Sequence, residues 1–337
     1  MKFGVFDHMD DAGGPLRQFY QDRLAIVEAY DRIGIHAYHV AEHHATPLGV
    51  ATSPSVFLSA VAQRTTRLRF GPLVYLLPFY HPLRLIEEIG MLDQMSGGRF
   101  ELGVGRGVSP FETASYDLDF GATGAMYHEA FAVLMQGLTS DTLNFEGKFY
   151  NFKDVPMLLR PLQRPHPPLW YGLGIPDNAP WPAANDVNVV MLGTRPSIRA
   201  IVDRYLAERD KAGKPRDRVP LMGLARHVVV ADTDAEALAI ARRSYPRWQD
   251  SFNWLWKRHG AAPRIGALYP PTWDELQALG NGIAGSPATV RDFIAADISD
   301  TGINYFLSWL AFGAITREEA LRSTALFGSD VMPAFKT

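Results

Sequence analysis

Short apolar runs alternate along the chain with longer stretches in which apolar residues recur every three or four positions. The short runs cover 2–6, 37–40, 68–74, 101–104, 169–172, 187–191, 227–230 and 305–309. Each is rich in Val, Leu, Phe or Tyr, a composition that predicts strands buried on both faces. The stretches of helical period lie between them, at 16–33, 54–64, 82–95, 127–138, 197–211, 234–256 and 287–296, with a last one at 317–327. Several helix starts are marked. Pro54 and Pro82 suit a first turn, where a missing N–H is no loss. Thr194 or Ser197, the run Asp232-Thr233-Asp234, and Thr316 ahead of Glu318 and Glu319 supply capping oxygens and negative charge at helix N-termini.

Eight strands and eight helical stretches, alternating along most of the chain, predict an α/β chain folded as a closed (β/α)8 TIM barrel rather than an open sheet. The whole of 1–337 reads as a single domain with rim insertions at about 108–125 and 257–286. The second holds Gly260, Pro263, Gly266, Pro270, Pro271, Gly280, Gly282 and Gly285. It reads either as a segment shaping the active site or as a surface loop.

Composition narrows the chemistry. No cysteine occurs among the 337 residues, which removes disulfides, Cys-ligated zinc, iron–sulfur clusters and a thiol nucleophile. A formal net charge of −3 provides no basic field for nucleic acid or an anionic membrane. The start, MKFGVFDHMDD, turns acidic without a signal-peptide core. The charge-free stretches at 70–83 and 301–316 are shorter than the ~18 apolar residues of a spanning helix. A cytoplasmic enzyme with no nucleic-acid or membrane partner is the expectation.

The densest polar cluster is IHAYHVAEHH, with His36, His39, Glu42, His43 and His44. Shared metal binding fits it poorly. On a strand, His39 and His43 stand ~13 Å apart at ~3.3 Å per residue, and on a helix the HExxH order is missing. If 37–41 is strand two, Glu42-His43-His44 marks its C-terminal end, where barrel active sites collect. A histidine there is either a proton-transfer group or one satisfied by a carboxylate such as Glu42. LGVGRG (102–107) ends strand four with glycines that permit close backbone approach and an Arg106 suited to phosphate. YGLGIPDN (171–178) follows strand five and reads as a phosphate-facing turn or a plain one. LLPFYHP (76–82) would form an aromatic wall. Phe79, Tyr80, Trp170, Trp181, Trp309 and Phe312 suggest an apolar pocket or ordinary core.

Taken in order, KFGVF (2–6), AEHH (41–44), LPFYHPLRLIEE (77–88), LDQMSGGRF (92–100), LGVGRG (102–107) and SDVMPAFK (329–336) resemble the bacterial luciferase-like flavin monooxygenase family. That family's fold is a (β/α)8 barrel with insertions, in agreement with the element count. The resemblance implies reduced FMN at the C-terminal rim and C4a-peroxyflavin chemistry with O2 on a small, apolar organic substrate. His43 matches the family's functional histidine and would transfer protons. Leu73 and Val74 match a non-prolyl cis peptide beneath the flavin ring, Phe6 would line the ring pocket, and Arg106 matches a phosphate-binding arginine. Glu42, Gly172, Gly174 and Asn178 complete the implied flavin contacts, and no metal is implied.

The departures from the family pattern concern the phosphate. Where relatives place Ser or Thr after strand five, GIPDNAPW offers Asn178 and backbone N–H groups, and Ala125 stands where a second arginine is expected. This implies reduced FMN as a dissociable co-substrate delivered by a separate flavin reductase. Two alternatives are an F420-dependent hydride-transfer enzyme of the same superfamily and a non-catalytic flavin-binding paralogue. The resemblance also implies a homodimer formed through helices near strands two and three. Gly105 occupies the place of a reactive cysteine in the light-emitting α-subunit pattern, which makes light emission a poor expectation.

Overall fold

The computed structural model describes residues 1–335; Lys336, the last residue of the SDVMPAFK motif, lies outside them. The first three staves and their helices are β1 (Lys2–Asp7), α1 (Leu16–Ile33), β2 (Ala37–Val40), α2 (Pro54–Arg64), β3 (Arg69–Pro72) and α3 (Pro82–Met95), with β4 (Tyr75–Leu76) before α3. Then come β5 (Leu102–Gly105), α4 (Pro110–Ser115), α5 (Thr123–Thr139) and a hairpin of β6 (Thr142–Glu146) and β7 (Asn151–Pro156). The next units are β8 (Leu169–Gly172), α6 (Pro180–Ala184), β9 (Asn188–Met191) and α7 (Arg195–Lys211). The chain continues through β10 (Met222–Val230), α8 (Asp234–Arg258), α9 (Trp273–Ala278), β11 (Gly282–Gly285) and α10 (Pro287–Thr301), and its last stave and helix are β12 (Tyr305–Trp309) and α11 (Arg317–Leu326).

The parallel strands run β3-β2-β1-β12-β10-β9-β8-β5 around the barrel. Phe70 of β3 bridges Phe100 just ahead of β5, and the Glu101 N–H donates to the Phe70 carbonyl at 2.8 Å, which joins the two ends of that path. The sequence-predicted (β/α)8 barrel is the observed architecture. Side-chain alternation divides the apolar residues into two cores. Phe3, Val5, Tyr38 and Val40 belong to the shell packed with the helices. Phe6, Leu73, Trp170, Leu307 and Trp309 belong to an interior core continuous with Tyr245, Trp248 and Phe252 of α8. The interior is tight at its N-terminal end, where a Cβ on Gly4 would overlap the Tyr305 hydroxyl.

The structure departs from the sequence reading in several places. The run 68–74 holds only β3 and ends in a cis Leu73–Val74 peptide, after which β4 follows at Tyr75–Leu76. β10 starts at Met222 rather than at 227, and all nine of its residues are buried. Gly223 and Arg226 interrupt the apolar run in the sequence. Arg226 is nevertheless buried because its guanidinium donates to Asp297 at 3.2 Å, the Gly193 carbonyl at 2.8 Å and Asn281 at 3.0 Å. The β6–β7 hairpin was not anticipated. Its residues are mostly exposed, so no apolar run announces it. α5 starts at Thr123, inside the expected 108–125 insertion, which also holds α4. The 257–286 insertion carries α9, started by a Thr272–Glu275 capping box, and β11, which pairs with the far end of β10. The expected cap at Thr316 forms, as part of a capping box with Glu319. No helix among the described residues is long and apolar enough to cross a membrane.

Candidate active site at the C-terminal rim

Parallel staves bring all their C-terminal ends to one rim. His8 follows β1, His43 follows β2, Leu73–Val74 separates β3 from β4, Arg106 follows β5, and Gly172 ends β8. His43 is 21% exposed, and its Nδ1 lies 3.0 Å from Oε1 of Glu112, itself 5% exposed. A carboxylate accepts, so Nδ1 carries the hydrogen and Nε2 is left to take or give a proton. Glu112 is set in place by α4, whose N-cap Ser109 hydroxyl accepts the Glu112 N–H at 3.3 Å.

The rest of the AEHH motif turns the other way. Glu42 is buried, with one oxygen 2.8 Å from His44 Nε2 and the other accepting the Leu76 N–H at 3.0 Å. Burial raises its pKa, against the opposing pull of those hydrogen bonds. His44 Nδ1 meets the Tyr116 hydroxyl at 2.7 Å, and Tyr116 stacks on Phe79 at 4.6 Å. Glu42 and His44 therefore brace the end of β4 and the 108–125 segment, while His43 turns to Glu112. His39 goes elsewhere again, into the barrel, 3.2 Å from the Tyr305 hydroxyl.

His8 escaped the sequence reading. It is buried, its ring centre 5.5 Å from that of His43 and 5.0 Å from that of Phe6. Its Nδ1 accepts the indole N–H groups of Trp309 at 3.0 Å and Trp248 at 3.3 Å. Burial, then the charges of His43 and His227, hold its pKa well below the ordinary histidine range. His227 stacks behind Trp309 at 4.5 Å, with neither ring nitrogen partnered; burial pushes its pKa down to about 3. Glu112 was missed too. Its one sequence signal was the Ser109-Pro-Phe-Glu112 spacing of a helix start, which says nothing about where the carboxylate ends up.

Most of the remaining candidates lie at or just after the same strand ends. Arg106 is exposed and lies 5.1 Å over the Phe120 ring, with no carboxylate partner among the described residues. A Cβ on Gly172 or Gly174 would meet no heavy atom within 4 Å. Phe6 and Leu73 are buried, and Val74 is half-buried. Asn178 is exposed and lines a cleft of about 350 Å³ with Tyr127, His128, Phe131, Tyr171 and Trp181, a cleft to which His8 and His43 do not contribute. An unpaired cation, open glycine backbone and an apolar floor suit a phosphorylated, planar cofactor such as a flavin.

The model of the luciferase-like monooxygenase family matches residues 1–305. The chain belongs to that oxidoreductase family. It is 39% identical over 332 residues to the uncharacterized protein y4wF of Sinorhizobium fredii, covering 98% of this chain and 96% of the relative. It is 26% identical over 352 residues to the oxygenase component of flavin-dependent trigonelline monooxygenase from Acinetobacter baylyi, covering 99% and 96%. Two solved structures share its fold at lower identity. One is the oxygenating constituent of 3,6-diketocamphane monooxygenase from Pseudomonas putida in complex with FMN, with TM-score 0.81, 21% identity, and coverage of 99% and 98%. The other is the coenzyme F420-dependent tetrahydromethanopterin reductase of Methanopyrus kandleri, with TM-score 0.72, 20% identity, and coverage of 99% of both chains.

Proposed function

We propose that this protein is the oxygenase component of a two-component flavin monooxygenase, using reduced FMN and O2 to oxidise a small, apolar organic molecule. The observation that carries the reading is the His43–Glu112 pair, 3.0 Å apart, on the same rim as an unpaired Arg106 and the open backbone at Gly172 and Gly174. Arg106 would hold the flavin phosphate, joined by backbone N–H groups after β8 and by Asn178. Phe6, Leu73 and Val74 would line the ring, and Glu42 would act indirectly, by bracing Leu76. Reduced flavin, when bound, supplies the activation of O2. His43 would hold or move a proton at Nε2, with Glu112 fixing its orientation. The aromatic side chains around Phe6 and Trp309 would exclude water.

A single candidate arginine, Arg106, and a segment after β8 without Ser or Thr support a loosely held, dissociable FMN delivered by a separate reductase. A cytoplasmic homodimer completes the proposal, supported by exposed Met91, Met95 and Leu162 on and beside α3. The fold shared with the F420-dependent reductase supports a second reading, oxygen-independent hydride transfer. Oxygen uptake with photoreduced FMN, set against reduction of F420, decides between them. Rapid uptake with FMN and none with F420 is expected. Nanomolar retention of oxidised FMN through purification would overturn the dissociable co-substrate.

A further inference from the structure

We propose that His8 is a fixed hydrogen-bond donor that selects substrates carrying a carbonyl oxygen on an apolar, ring-shaped carbon skeleton. The inference deepens the monooxygenase reading and rests on it for the identity of the occupant as a substrate.

An indole N–H only donates, and the N–H groups of Trp309 and Trp248 both point at Nδ1 of His8, at 3.0 and 3.3 Å. Nδ1 must therefore be bare, and the ring hydrogen sits on Nε2. Protonating Nδ1 would set an N–H against two N–H groups in a buried site. The titratable groups facing the ring are His43 and His227, neither of which compensates a positive charge. Nε2–H has no acceptor among the described residues, yet it is not sealed off as both nitrogens of His227 are. Its surroundings are carbon faces: Phe6 at 5.0 Å and Trp309, parallel to the ring, at 5.6 Å.

His43, 5.5 Å away, is set the opposite way round, its Nδ1–H directed at Glu112 and its Nε2 free. Two neighbouring imidazoles are thus held in opposite tautomers. One only donates, and the other exchanges a proton. An acceptor oxygen beside an apolar ring satisfies the first and lies within the neighbourhood of the second. A hydrocarbon of the same shape would leave the His8 N–H dry and unpaired, a penalty that polar sites use to discriminate.

The test uses acetophenone and ethylbenzene, a pair matched in shape that differs in the carbonyl, as binding probes for the full chain by ligand-observed NMR. Acetophenone is expected to bind roughly fivefold more tightly. His8→Phe should erase the preference, whereas His8→Asn should restore it, its carbonyl taking the indole N–H groups and its amide N–H replacing Nε2–H. In the wild-type protein labelled with 15N-histidine, His8 should show a bare Nδ1 and a protonated Nε2 from pH 8 down to pH 5. Protonation of Nδ1 in that range overturns the assignment, as does equal affinity for the two probes or no binding of acetophenone. If His8→Phe weakens FMN binding and leaves the probe preference intact, the donor serves the flavin and the proposal falls. Should oxygen uptake with FMN fail while the preference and tautomer hold, the monooxygenase reading falls and the donor assignment stands.

Discussion

At the N-terminal end of the barrel, Glu101 accepts from Arg69 Nε at 2.6 Å and from the Trp170 indole. Arg69 also reaches the Gly98 and Phe100 carbonyls and Gln163, which bonds in turn to Asp93. At the opposite end, among the described residues, Arg106 has no carboxylate partner, the proposed His8 N–H has no acceptor, and Asp10 has a buried oxygen without a partner. The strands are the same, but the accounting of polar groups differs. Saturated networks hold a structure together, while unsaturated groups at a barrel's C-terminal rim are available to a ligand. Substitutions at the two ends should therefore separate stability from function.

Removing the centre of the saturated network should have the largest effect. Glu101→Ala leaves Arg69 and the Trp170 N–H without their partner, and should cost about 3–5 kcal/mol in urea unfolding. Turnover per folded molecule should change little; a large loss of turnover with unchanged stability would erase the distinction. His43→Ala should do the reverse, lowering kcat with FMN and O2 by about 10²- to 10³-fold with a nearly unchanged urea midpoint. Arg106→Ala, at an exposed position, should weaken reduced-FMN binding by roughly tenfold to a hundredfold, measured by anaerobic titration.

The smallest effect sharpens the comparison through pH. Burial raises the Asp10 carboxyl from its ordinary 3.8 to about 7. Between those values the native state binds more protons than the unfolded chain, so this contribution to stability is complete below about pH 4 and is lost as pH rises through about 7. Asp10→Asn should flatten that fall and be the more stable protein at pH 8, by on the order of 1–2 kcal/mol, in urea unfolding at pH 5 and pH 8. An unchanged slope would mean that Asp10 ionises freely in the folded protein.

Much of the fold was legible because it rests on local pattern. The staves at Lys2–Asp7, Ala37–Val40, Leu169–Gly172 and Tyr305–Trp309 are short runs dominated by apolar residues, and Pro54, Pro82 and Thr316 mark helix starts where the signals place them. The reading failed where burial depends on a distant partner. Arg226 lies inside a buried strand because Asp297, from α10, meets it. The hairpin at Thr142–Pro156 lacks an apolar run because its strands are largely exposed.

The sequence alone determined the order of the eight main staves and the longer helices, the absence of thiol chemistry, and the placement of His43 and Arg106 at strand ends, since each follows from residue type and spacing along the chain. Only the tertiary structure decided what those groups meet. Glu112 is 69 residues from His43, and Trp309 is 301 residues from His8. Hydrogen bonds such as these set which imidazole nitrogen carries its proton, and they exist only once barrel closure brings the far ends of the chain to one rim.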